Sequence, residues 1–124
     1  MPRVALLVIA AAWLLVASST AAAQPVRFVA LEPAVGTLDT VFTVTGTGFL
    51  PGEAAIHRFT SPDGLVFSPA DDLAALHLAD EQGVFQFQFV PLHDFVAPSP
   101  GQWTLTVCLT DRRTCATLEF TLTG

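Results

Sequence analysis

The chain has 124 residues, 5 of them basic and 11 acidic, and a formal net charge of −6. It has no lysine and no tyrosine, and ten phenylalanines stand beside two tryptophans and two cysteines. This balance excludes recognition of nucleic acid or anionic lipid through charge, and the acidity serves solubility.

Residues 1–23 have the pattern of a signal peptide. Met1-Pro2-Arg3 is a short positive start, Val4 to Ala17 is an uncharged apolar run, and Ala21-Ala22-Ala23 is a small-residue cleavage site. The run is shorter than the roughly 20 apolar residues a membrane span needs. The expectation is therefore export, loss of the leader, and a secreted or periplasmic domain of residues 24–124 with no membrane insertion. Without Arg3 that domain keeps four basic side chains against eleven acidic ones. Its length suffices for one domain with its own core.

In chain order, Val26 to Leu31 is a short β-prone segment closed by Pro33, and Gly36 and Asp39 mark a turn. Val41 to Thr47 alternates Phe42 and Val44 with threonines, the period of a half-buried strand. Gly46 and Gly48 interrupt it where a bulge or close backbone approach belongs. Pro51-Gly52 fits the centre of a type II turn. Ala55 to Thr60 is a third strand, Ser61-Pro62-Asp63-Gly64 a turn, and Leu65 to Phe67 a short strand. Between Ala70 and Asp80, a strand near Leu76 to Ala79 preceded by a helical turn is expected, with a helix through Leu73 to Leu78 capped by Asp71 or Asp72 as the alternative. Asp80 to Gly83 is a hairpin-like turn.

Phe85, Phe87 and Phe89 then alternate with Gln86 and Gln88, and Pro91 to Pro100 is a proline-rich loop. Trp103, Leu105, Val107 and Leu109 share one strand face, and Thr104, Thr106 and Cys108 share the other. In Cys115 to Leu122, Ala116, Leu118, Phe120 and Leu122 form the apolar face. About seven short strands separated by turn signals predict an all-β fold, an antiparallel β-sandwich.

Parity tests the cysteines. If Cys108 faces Cys115 in a hairpin, then Val107 faces Ala116, Leu105 faces Leu118 and Trp103 faces Phe120. Every apolar pair falls on one face, and the cysteines meet on the other at a separation a disulfide bridges. The export pathway permits oxidation. A redox pair is disfavoured because the C-x-x-C spacing is absent.

The stretch Leu31 to Glu53 resembles bacterial immunoglobulin-like domains of the IPT/TIG type, through Pro33, Gly36, Val44, Gly46, Gly48, Phe49, Pro51 and Gly52. Ala79 to Phe85 and Gly101 to Val107 are similar to strand starts in such domains. The resemblance implies an immunoglobulin-like sandwich within an extracytoplasmic surface protein. The chain lacks the Cys-Trp-Cys arrangement of antibody domains and, without tyrosine, has no tyrosine corner.

The pattern holds little catalytic chemistry. His57, His77 and His93 have neither H-x-x-x-H nor H-E-x-x-H spacing, and no G-x-S-x-G elbow supports Ser61, Ser68 or Ser99. A His/Asp zinc site would need distant residues brought together by the fold. Asp71, Asp72, Asp80, Glu81 and Asp94 do not match a calcium loop and are expected as turn acids. Trp103 is expected in the core. Phe95, beside Asp94, is the candidate for an exposed contact, and Arg112 and Arg113 at a hairpin tip are candidates for meeting an acidic partner.

These features point to a secreted, non-enzymatic module without a cofactor, binding a protein or glycan at the cell surface. Contacts would come from the loops 91–100 and 110–114 at one end, or from a sheet edge. The alternatives are a small structural or carrier subunit of an extracytoplasmic complex and, less favoured, a metal-binding protein using the histidines.

Overall fold

The structure, a computed structural model, describes residues 26–68 and 75–124. The leader expected over 1–23 and the acids Asp71 and Asp72 lie outside the described residues. In chain order the elements are β1 (Phe28–Glu32), β2 (Val35–Gly36), β3 (Phe42–Thr47), β4 (Ala54–Thr60), β5 (Val66–Phe67), β6 (Leu76–Leu78), β7 (Phe85–Phe89), the helical turn α1 (Pro91–Asp94), β8 (Gly101–Leu109) and β9 (Cys115–Leu122).

They form two facing sheets. One has the order β1-β3-β7; the other has β2-β9-β8-β4-β5, with β6 also on β4. Assigning β1, β3 and β7 to one sheet and β4, β8 and β9 to the other gives the immunoglobulin partition of strands. The alternation read along β3, β7, β8 and β9 is realised as burial. Phe42, Val44, Phe85, Phe89, Trp103, Leu105, Val107, Phe120 and Leu122 are all buried between the sheets. Trp103 is fully enclosed, and its indole Nε1–H donates to the Ser99 carbonyl at 2.8 Å. A tryptophan is accommodated in a core only when that donor finds a partner.

The β8–β9 register pairs Cys108 with Cys115, Val107 with Ala116, Leu105 with Leu118 and Trp103 with Phe120, as parity required. Cys108 and Cys115 are joined by a disulfide. The interrupted β3 is also explained. The Phe85 ring lies against Gly46, where any side chain would collide with it. Gly48 has φ of 76°, and a Cβ there would overlap the Val26 carbonyl. The Leu50–Glu53 turn closes through a Glu53 N–H to Leu50 carbonyl bond of 2.9 Å.

Four features differ from the sequence reading. Among the described residues the strand count is nine, and β2 is a strand the sequence did not announce. The sandwich is not purely antiparallel, since β2 runs parallel to the end of β9. Pro33 has no N–H to continue the β1 ladder, and the chain crosses from one sheet to the other there. Gly36 consequently lies in a strand, and the turn is Thr37–Thr40, closed by the Thr40 N–H on the Thr37 carbonyl. The Asp80–Gly83 turn joins β6 and β7, which belong to different sheets, so it carries the chain between layers and does not form a hairpin.

Replacing both cysteines by serine removes the cross-link from the unfolded chain. A closed loop of this length is expected to contribute about 2.5 kcal/mol in the chain-entropy account. The Tm of the double variant should fall by about 10–20 °C, and reductant should lower the wild-type Tm similarly while leaving the variant unchanged. Thermal denaturation followed by circular dichroism checks this.

Candidate functional site

The proposed contact residues do not converge. β8 runs nine residues from the 91–100 loop to the 110–114 turn, so the two segments stand at opposite ends of the sandwich, roughly 27 Å apart at 3.3 Å per residue. The expectation of one shared loop end is corrected. So is the exposed Phe95. The α1 turn folds the loop back over the core. Phe95 is only 6% exposed, with its ring 4.5 Å from Trp103 and 4.8 Å from Phe59. Its apolar ring gains more from closing the barrel of side chains than from water. Asp94 caps this turn, its Oδ2 accepting the Val90 N–H at 2.7 Å.

At the other end, Arg112 and Arg113 are exposed, and Arg112 takes a left-handed φ of 62°. Asp111 organises the turn by accepting the N–H groups of Arg113 at 2.8 Å and Thr114 at 3.1 Å, and these bonds hold its carboxyl below the usual range. In its own turn Asp80 accepts the N–H groups of Gln82 and Val84. Of the acids weighed as calcium ligands, Asp80 and Asp94 are thus turn-capping groups. Arg27, on the approach to β1, grips Glu53 through two bonds of 2.9 and 2.8 Å. That bond and the Leu50 N–H keep Glu53 ionised.

Two surfaces gather chemistry that separate sequence segments did not announce. The first is a cleft of about 370 Å³ in the edge of the sandwich, lined by residues that include all three histidines, Asp94, Ser68 and Phe87. Its origin is a gap in strand pairing. β5 covers β4 at Phe59 and Thr60, and β6 covers it at Ala54 to Ile56. His57 falls between these patches and points inward, since Ala55 and Phe59 on the same face are buried. His77 enters from β6, and its Nε2 lies 2.8 Å from His57 Nδ1. Both rings lie on Phe87: His77 stacks at 3.9 Å and 7°, and His57 at 4.5 Å and 25°.

Burial lowers the pKa of His57, opposed by a hydrogen bond to the Ala75 backbone and the charge of Asp94. Burial and then the charge of His57 push His77 down to about 4. Such a close pair titrates as a unit. His93 is exposed on α1. Among the described residues, no group of three His, Cys, Asp or Glu side chains is placed to hold a metal ion.

The second surface is the outward face of the three-stranded sheet. Register sets Thr43 opposite Gln88 and Thr45 opposite Gln86, with Glu32 and Ala30 beside the threonines on β1. Gln86 and Gln88 donate their amide N–H groups to Thr45 and Thr43 at 3.2 and 3.3 Å. A broad depression of about 770 Å³ lies over this face. The sequence marked these polar positions only as the solvent side of each strand; the lateral pairing needed the register.

No family profile matches the chain. No curated protein matches it. Among solved structures, the chain is similar to part of a β-glucosidase from Erythrobacter marinus, with a TM-score of 0.51 and 16% identity. The match covers 80% of this chain and 16% of that one, so this chain spans about a sixth of the glucosidase. The shared feature is the fold.

Lowered histidine pKa values make stability depend on pH with a defined sign. The unfolded chain, with histidines near 6.5, binds more protons than the folded one between that value and about 4. The stabilising contribution is complete above about 6.5 and declines as pH falls toward 4. Discounted for the part of the rings that water still screens, the loss is about 1 kcal/mol, or about 4–8 °C in Tm. Melting curves between pH 7 and 4.5 should show this fall, and it should shrink in His77→Phe.

Proposed function

We propose that this chain is an exported, non-enzymatic immunoglobulin-like module that binds a protein or glycan at the cell surface. The observation that carries the reading is the Thr43/Gln88 and Thr45/Gln86 array, laid in register across two strands, of which Thr43, Thr45 and Gln86 line a broad depression. A flat face of hydroxyls and amides with one carboxylate, Glu32, offers donors and acceptors without a strong field. That chemistry suits the neutral hydroxyls of a glycan better than a charged partner. The internal amide–hydroxyl bonds hold the side chains in place, so little rotamer freedom is lost on binding.

Export is supported by the leader-like sequence and by the disulfide, which persists in oxidising compartments. Among the described residues no helix is long and apolar enough to cross a membrane. A kinship with IPT/TIG domains is supported by the roles of the motif residues: Gly46 admits Phe85, and Gly48 admits the Val26 carbonyl. The glucosidase neighbour carries such a sandwich as a small part of a long chain, which favours a modular role. Its glycosidase activity is not carried over. A subunit role in a larger complex is the second reading, favoured by the outer edge of β7, which pairs with no strand among the described residues.

Binding to isolated envelope polysaccharides and envelope proteins, measured by calorimetry, tests the proposal. Thr45→Val combined with Gln86→Leu should weaken the interaction about tenfold to a hundredfold, as two lost hydrogen bonds predict, with Tm nearly unchanged. Binding that ignores this pair but is lost in Arg112→Ala would move the contact surface to the 110–114 turn. A stoichiometric protein complex unaffected by either change would favour the β7-edge subunit reading instead.

A further inference from the structure

We infer that His57 and His77 form a two-point clip for a late first-row divalent metal ion, Cu²⁺ in preference to Zn²⁺, at the edge of the sandwich. The inference does not depend on the reading of the Thr/Gln face. Two observations converge. The two nitrogens that face each other, His57 Nδ1 and His77 Nε2, are already 2.8 Å apart. Nitrogens at that spacing subtend about 85–90° at an ion about 2.0–2.1 Å from each. This is the angle between neighbouring ligands in the tetragonal sites that Cu²⁺ favours. A tetrahedral Zn²⁺ would need the nitrogens to spread by about half an ångström.

The rings are also fixed in orientation before any ion arrives. Phe87 supports both from below, stacking on His77 at 3.9 Å and on His57 at 4.5 Å. The pair therefore has little rotamer freedom left to lose when an ion binds.

The proton balance is simple. With His57 protonated on Nε2, the bond between the rings runs from His77 Nε2–H to the His57 Nδ1 lone pair. Binding needs both facing nitrogens bare, so the His77 proton moves to its own Nδ1. Both imidazoles stay neutral, and no net proton is released.

The coordination is open. Among the described residues no third protein ligand is in place, so water fills the remaining positions. Asp94 lies close enough for its charge to act on His57 and attracts a cation to the cleft. Two nitrogens with water predict micromolar affinity and an exchangeable ion. Such a site carries or passes on a metal; it does not bury one as a structural staple.

The test uses the full chain after export, stripped with chelator and titrated with Cu²⁺ in a non-coordinating buffer. One ion per chain is expected, with an electron paramagnetic resonance spectrum showing coupling to two nitrogens. His57→Phe or His77→Phe should weaken binding at least about tenfold, and His93→Gln should change it less than about twofold. Should the phenylalanine variants fold poorly, the wild-type protein gives an independent readout: substoichiometric Cu²⁺ should broaden the ring resonances of His57 and His77 before those of His93. Absence of binding at micromolar Cu²⁺, wild-type affinity in the His57 and His77 variants, or selective broadening of His93 would each overturn the inference.

Discussion

The phase of β8 is the constraint on which the rest of this domain depends. This nine-residue strand is paired on both sides, with β9 and with β4. Its period of two puts Trp103, Leu105 and Val107 between the sheets and Thr104, Thr106 and Cys108 on the outer face. A slip of one residue would exchange those faces and put the threonines between the sheets. The Cys108–Cys115 bond holds the register at one end, and the enclosed Trp103, facing Phe120, holds it at the other. With β8 fixed, β4 inherits its phase, and His57 is obliged to point inward opposite Val107.

That obligation gives the edge cleft its chemistry. An inward histidine on a β-strand needs a polar partner, because an unpaired buried donor or acceptor is costly. His77 supplies the partner from β6, and Phe87 closes the stack from the other sheet. The pairing is stabilising while both rings are neutral. The same geometry presents two imidazole lone-pair sites at chelating distance. Polar satisfaction and metal affinity therefore arise here from one arrangement.

The outer face of the three-stranded sheet follows a different logic. Its residues are solvent-facing by alternation, and small polar side chains are compatible with that exposure. Their chemical coherence comes from register, which sets each threonine beside a glutamine. The loops show the reverse. The 91–100 segment spends its aromatic residue on the core and its acid on capping α1, and the 110–114 segment spends Asp111 on holding its own turn. A polar loop residue that satisfies local backbone groups is not thereby available to a partner.

Much of this protein was legible in its sequence, because the relevant physics is local. Alternation along Phe42–Thr47, Phe85–Phe89, Trp103–Leu109 and Cys115–Leu122 determined the strands, their buried faces and, through parity, the disulfide. Pro51-Gly52 and Ser61–Gly64 determined turns through their own backbone preferences. What the tertiary structure alone decided involves segments far apart in the chain. Periodicity assigns a side chain to a face but does not say which neighbours cover that face, or where coverage stops. The short strand β2 appears only because the end of β9 offers a partner. Phe95 is buried because Trp103 and Phe59 leave it a place. His57 and His77, twenty residues apart in sequence, meet only because β6 pairs with β4 in the register that sets His77 opposite Ala55, diagonal to His57 on the same face.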